Sequence, residues 1–139
     1  MKIRDLMHKG VETMPPDTPL AKLARKMLDK DIGAIPVGTK DQLLGMVTDR
    51  DITVRAVANG KDITTLTAQD VMTKGVVCCR DTEKVRDVMR TMETKQIRRI
   101  PVVDENSHLV GMISLGDISQ GLSDKATGEV TKAVSGHHA

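Results

Sequence analysis

Gly45-Met46-Val47-Thr48-Asp49-Arg50-Asp51-Ile52 returns 66 residues later as Gly111-Met112-Ile113-Ser114-Leu115-Gly116-Asp117-Ile118. Working outward, Ile35-Pro36-Val37 is matched by Ile100-Pro101-Val102, Met27 by Met92, and Asp17-Thr18 by Asp81-Thr82. At the far end, Asp5-Leu6-Met7-His8-Lys9-Gly10-Val11 lines up with Asp70-Val71-Met72-Thr73-Lys74-Gly75-Val76. The offset stays between 64 and 66 along this whole span, which identifies a duplicated unit. The repeats predict one unit over 1–62, a second over 63–123, and a tail over 124–139 in which the pattern is lost.

Each unit is read by period and punctuation. Thr18 followed by Pro19 predicts a capped helix start, since proline at the first helical position lacks only an N–H that would have no partner anyway. Leu20, Leu23, Ala24, Met27 and Leu28 then recur at helical spacing, as do Val85, Val88, Met89 and Met92 after Thr82. Two β-prone runs follow in each unit, 34–37 and 43–47, then 99–103 and 109–113, joined by connections of hairpin length. Second helices are predicted over 49–59 and 115–122, and a first short strand near Val11 or Val76. The expected fold class is α+β, with two pseudo-symmetric β-α-β-β-α units, each a small three-stranded sheet with two helices on one face. About sixty residues make only a marginal core, so the units are expected to pack on each other.

The 139 residues include no Phe, Tyr or Trp, so the core is built from aliphatic residues and nine methionines. The same absence removes the stacking platforms that single-stranded nucleic acid uses. Lysine and arginine (21) nearly balance aspartate and glutamate (19), and a net charge of +2 creates no field to draw a polyanion; nucleic acid is disfavoured as a partner. No stretch matches a membrane span or a signal peptide, and a cytoplasmic location is expected. Cys78 and Cys79 are adjacent, point to opposite faces of a strand and make an awkward disulfide, which fits a reducing compartment.

With Asp-hydrophobic-Met near each start, Ile-Pro-Val before each hairpin and Gly-x-x-Thr/Ser-x-x-Asp at each last strand-to-helix turn, the unit resembles the CBS domain, named after cystathionine β-synthase. The pair resembles a stand-alone tandem CBS (Bateman) module over about residues 1–123. The resemblance implies binding of adenosine-containing molecules in clefts between the two units: AMP, ADP or ATP, with NAD and S-adenosylmethionine as further candidates. It also implies pairing into a disc-like homodimer.

Thr48-x-x-Asp51 and Ser114-x-x-Asp117 admit two readings. As capping boxes, hydroxyl and carboxylate each satisfy an orphan backbone N–H, and this alone accounts for the spacing. As a site, the same turn offers a hydroxyl and helix-start N–H groups to a phosphate, and a carboxylate to two ribose hydroxyls. By the resemblance, Asp51 and Asp117 are the ribose acceptors, with Thr48 and Ser114 near ribose or phosphate. Pro36 and Pro101 have an ordinary reading as strand starts at a sheet edge. The resemblance adds adenine recognition by the backbone around Ile35, Pro36, Val37, Ile100, Pro101 and Val102, with Val11, Val76, Ile35 and Ile100 clamping the ring.

The copies differ where Arg98 and Arg99 replace Gly33 and Ala34, and where Arg50 stands against Gly116. These arginines read either as solvated charge or as phosphate ligands, and they predict two pockets of unequal affinity or preference. His8, His108, His137, His138, Cys78 and Cys79 follow no zinc spacing, so no metal is expected. Nucleophile elbows, phosphate-binding loops and acidic clusters are lacking, and the chain is read as a non-enzyme with no required cofactor. The expected function is a regulatory module that senses energy or metabolic state through an adenine nucleotide and signals to a downstream protein. The competing readings are an interaction module with unoccupied pockets, or a metal or thiol sensor.

Overall fold

In the computed structural model, which describes residues 1–122, the first amphipathic run forms helix α1 (Leu20–Lys30). Pro19 rather than Thr18 occupies the cap position. Thr18 is buried instead, its hydroxyl donating to the Pro15 carbonyl at 2.7 Å and its own carbonyl accepting from the Ala68 N–H. The hairpin β1 (Ala34–Gly38) and β2 (Leu43–Thr48) follows, then a short helix α2 (Asp49–Asp51) that widens into a π-helical stretch, Ile52–Val57. The sequence predicted one α-helix over 49–59. The Ala58 N–H instead donates to the Thr53 carbonyl and the Lys61 N–H to that of Ala56, each five residues back.

Helix α3 (Ala68–Val71) opens the second repeat, followed by β3 (Cys79–Arg80), α4 (Val85–Lys95), the hairpin β4 (Arg99–Val103) and β5 (Leu109–Ser114), and α5 (Leu115–Gly121). The two copies agree in detail. Both hairpins are antiparallel with a register shift at the same place, and α1 and α4 both end on a non-glycine left-handed residue, Asp31 and Gln96. The tail predicted over 124–139, with His137 and His138, lies outside the described residues.

The three-stranded sheet expected in each unit is realised once. β3 runs parallel to β4, whereas the matching residue of the first repeat, Met14, makes a single parallel bridge with Val37. The cause is local. Asp81 N–H donates to the Val103 carbonyl at 3.0 Å, but 65 residues earlier that donor is replaced by Pro16, which has none, so the ladder cannot extend.

The compact units do not follow the 1–62 and 63–123 boundaries of the repeat. One comprises Met1–Val11 with the chain from Val77, the other Glu12–Val76. Ile3, wholly buried, packs in a core with Val85, Val88, Met92, Ile100, Val102, Ile113 and Ile118. Ala68 and Val71 pack with Leu20, Leu23, Ile35, Val37, Val47 and Ala56. Each repeat therefore lends its opening segment to the body of the other. His8 bridges Met112 of β5, and Thr73 bridges Met46 of β2, both antiparallel. Gly45 and Gly111 make this approach possible: a Cβ on Gly111 would stand 2.7 Å from the His8 carbonyl oxygen, and one on Gly45 2.7 Å from that of Thr73.

Candidate functional site

The two strand-to-helix turns form reciprocal caps. Thr48 N–H donates to Asp51 Oδ2 at 2.8 Å and Asp51 N–H to Thr48 Oγ1 at 3.1 Å. In the second repeat, Ser114 N–H donates to Asp117 Oδ2 at 2.9 Å and Asp117 N–H to Ser114 Oγ at 3.1 Å. Each carboxylate is thereby fixed through Oδ2, and Oδ1 takes no part in the cap. Each hydroxyl accepts one bond and keeps its own proton to donate. Such an arrangement suits a neutral ligand bearing two neighbouring hydroxyls.

The turn is less suited to a phosphate than the sequence implies. In the first repeat every N–H from Thr48 to Asp51 already has an acceptor, with Asp49 N–H donating to the Gly33 carbonyl and Arg50 N–H to Asp49 Oδ1. Leu115 N–H likewise donates to the Arg98 carbonyl. An anion at the first turn has to displace one of these bonds.

The Ile-Pro-Val segments lie on β1 and β4. Ile35, Val37, Ile100 and Val102 are fully buried in the two cores, so their side chains are packing elements, and Pro36 and Pro101 are buried beside them. The Pro36 carbonyl accepts from Met14 N–H. Val11 and Val76 are half-buried. Arg50, Arg98 and Arg99 are exposed.

Sequence reasoning missed Arg55. Its Nε lies 3.8 Å from Asp51 Oδ1, and its Nη1 donates to the carbonyls of Val71 (3.1 Å) and Met72 (2.9 Å) at the end of α3. The 66-residue offset puts Gly121 at the equivalent place, packed against Leu6, so the difference was available in the alignment of the copies. Two further caps were also missed. Asp5 and Asp70, singled out as motif residues, accept from the N–H groups of Lys2 and Thr67. Thr67-x-x-Asp70 carried the capping signature in plain sight.

Cys78 is exposed and Cys79 buried. Burial raises both thiol pKa values, and for Cys79 burial together with nearby Glu83 pushes it to about 12. Among the described residues no group of three or more His, Cys, Asp or Glu is placed to hold a metal ion. No described helix is long and apolar enough to cross a membrane.

Similarity to known proteins agrees with this architecture. Hypoxic response protein 1 of Mycobacterium tuberculosis is 35% identical over 132 residues, spanning 94% of this chain and 92% of that protein. A crystal structure of Hypoxic Response Protein I, described with two coordinated zinc ions, superposes with a TM-score of 0.78 at 35% identity, covering 88% of this chain and all of that one. The CBS domain-containing protein YhcV of Bacillus subtilis is 35% identical over 134 residues, 96% of this chain and 94% of its own length. CBSX2, solved in complex with AMP, shares the fold at a TM-score of 0.74 and 23% identity, covering 86% of this chain and 94% of that chain. The family model for the CBS domain matches twice, at residues 3–57 and 68–124. With both copies of the repeat accounted for in this way, the chain belongs to the CBS domain family.

Proposed function

We propose that this chain is a regulatory module that binds adenosine-containing nucleotides, AMP, ADP or ATP foremost, at the Thr48/Asp51 and Ser114/Asp117 turns, and that it performs no catalysis of its own. The observation that carries this reading is the duplicated cap, in which each aspartate is held through Oδ2 and keeps Oδ1 outside the cap bonds. A ribose supplies the two neighbouring hydroxyls that such a carboxylate accepts. The adenine lies against Val11 or Val76 and the backbone of the Ile-Pro-Val strands, held by aliphatic contact since the chain has no aromatic ring. Arg50, Arg98 and Arg99 are the candidate phosphate ligands, and at the first turn an arginine is favoured over the helix-start N–H groups because those are already bonded.

Regulation requires that the nucleotide favour one arrangement of the protein over another, since equal affinity for both shifts nothing. A downstream protein reads the difference, and the module works as a cytoplasmic homodimer. Calorimetric titration with AMP, ADP, ATP, NAD and S-adenosylmethionine tests the reading, with Asp51→Ala and Asp117→Ala as controls. Binding that weakens at least tenfold in the double variant is expected; no heat and no melting shift with any ligand refutes it. A second reading, zinc, is favoured by the two zinc ions of the relative at 35% identity. Stoichiometric zinc in the purified protein, measured by plasma mass spectrometry, would transfer the assignment to the metal.

A further inference from the structure

The two candidate ribose acceptors are alike in their caps and unlike in what stands behind them. Arg55 leaves the π-helical stretch with its guanidinium against two things at once: Asp51 Oδ1 at 3.8 Å, and the carbonyls of Val71 and Met72. Asp51 is only 13% exposed at its side chain, so this ion pair is partly shielded from water. The carbonyls of residues 71 and 72 close α3 and lead directly into 73–76, the stretch that bridges β2 through Thr73 and carries Val76. All of these residues belong to the Glu12–Val76 unit.

In the other unit the matching positions are Asp117, Gly121, and the segment 5–11. Gly121 has no side chain to reach either group, and the segment is held there by Leu6 packed on the glycine. One unit thus joins its aspartate to its borrowed segment through a charged fork, whereas in the other, among the described residues, the equivalent place holds the apolar contact of Leu6 with Gly121.

We propose that Arg55 is a positioning residue that couples the state of Asp51 to residues 71–76, and that the second repeat has no equivalent relay. Resting on the nucleotide reading above, this makes the Asp51 turn the responsive one: a ligand that engages Oδ1 redirects Arg55 and loosens or tightens the borrowed segment. Engagement of Asp117 leaves residues 5–11 as they were. At 3.8 Å the guanidinium is an ion-pair partner rather than a hydrogen-bond donor to Oδ1, so the oxygen retains room for a hydroxyl while Arg55 feels the change.

The reporters are built in. Met72 N–H donates to Ala68 O and Thr73 N–H to Met46 O; their counterparts are Met7 N–H to Ile3 O and His8 N–H to Met112 O. Amide hydrogen exchange at these four positions is measured by NMR in wild type, Arg55→Gln, Arg55→Lys, Asp51→Asn, Asp117→Asn and the Asp51→Asn/Arg55→Gln pair, with and without AMP. Asparagine keeps a cap acceptor, so the turns survive. Without ligand, Arg55→Gln and Asp51→Asn each speed exchange at Met72 and Thr73 by roughly threefold to tenfold, with the double variant no faster than Arg55→Gln. Arg55→Lys restores part of the protection, and Asp117→Asn leaves Met7 and His8 unchanged. With AMP, Thr73 responds in wild type and not in Arg55→Gln.

Unchanged exchange at Thr73 in Asp51→Asn, additive effects in the double variant, or an AMP response at Thr73 that survives Arg55→Gln overturns the relay. Coupling seen without ligand, together with no response at any amide to AMP or, in the same measurement, to ADP, ATP, NAD or S-adenosylmethionine, keeps the relay and refutes the nucleotide reading instead.

Discussion

Replacing Gly111 by alanine probes the exchange of opening segments at its tightest point. The added Cβ would stand 2.7 Å from the His8 carbonyl oxygen and 2.9 Å from the Met7 sulfur. Met7 can swing aside, but His8 O is backbone, and it moves only by giving up the bridge. Two hydrogen bonds make that bridge, His8 N–H to Met112 O at 2.8 Å and Met112 N–H to His8 O at 3.0 Å. At about 0.5–1.5 kcal/mol net for each bond, their loss costs about 1–3 kcal/mol before any disturbance of the core around Ile3. The expected total is about 2–3 kcal/mol, or a fall in Tm of roughly 6–12 °C for a chain of this size.

Urea unfolding followed by far-ultraviolet circular dichroism is the assay, because a protein without Trp or Tyr gives no useful intrinsic fluorescence. Gly116→Ala is the control: its Cβ meets only Ser114 Oγ at an ordinary 3.6 Å, and alanine in a helix is worth up to about 1 kcal/mol over glycine. A Gly111→Ala stability within about 0.5 kcal/mol of wild type, the usual range of a neutral surface change, would refute the placement of residues 7 and 8 against β5.

Ser114→Ala removes the hydroxyl that caps Asp117 N–H and is expected to lower stability by about 1 kcal/mol in the same assay, as Thr48→Ala does in the first repeat. Ellman's reagent at neutral pH should modify Cys78 in the folded protein and leave Cys79, buried and with its pKa pushed to about 12, until denaturant is added; Cys78→Ser therefore abolishes native labelling. Asp104, whose pKa is lowered chiefly by the His108 N–H donating to its carboxylate, contributes stability that is present above its ordinary value of 3.8 and lost as pH falls through the lower folded value. Asp104→Asn should accordingly flatten the acid limb of stability, measured as the urea midpoint between about pH 2 and 5, and an unchanged limb would count against that bond. Bound adenine would be almost the only ultraviolet chromophore in a preparation free of nucleic acid, so occupied sites show as an absorbance maximum near 260 nm.

The repeat was legible because its motifs recur in order at a nearly constant offset, and the hairpins and the caps at Thr48 and Ser114 because each rests on residues within a few positions of one another. Pro16 also held the reason why one sheet stops at two strands, but the sequence match sets Asp81 against Asp17, and it takes the Met14–Val37 and Cys79–Val102 pairings to place Pro16 where Asp81 donates. What could not be read is which copy each opening segment packs on. A duplicated sequence offers Ile3 and Val71 two nearly equivalent cores, and local patterning is the same for either choice. Ile35 and Ile100 illustrate a second limit: an apolar residue in a motif reads equally as a pocket wall or as core, and burial alone assigns these two to the core. Arg55 went unnoticed because its partners, Val71 and Met72, are backbone carbonyls 16 and 17 residues away, which no side-chain pattern announces.

The borrowed opening segments also set an order of events during synthesis. The Glu12–Val76 unit has all its parts once residue 76 has left the ribosome, and its α1, hairpin and α3 can close on one another at that point. Met1–Val11 emerges first and yet folds last. Ile3 finds its neighbours Ile113 and Ile118 only when nearly the whole described chain is available. Until then Ile3 and Leu6 lack the core they pack against. The contacts that close the molecule are those of longest sequence separation, the slow class in folding.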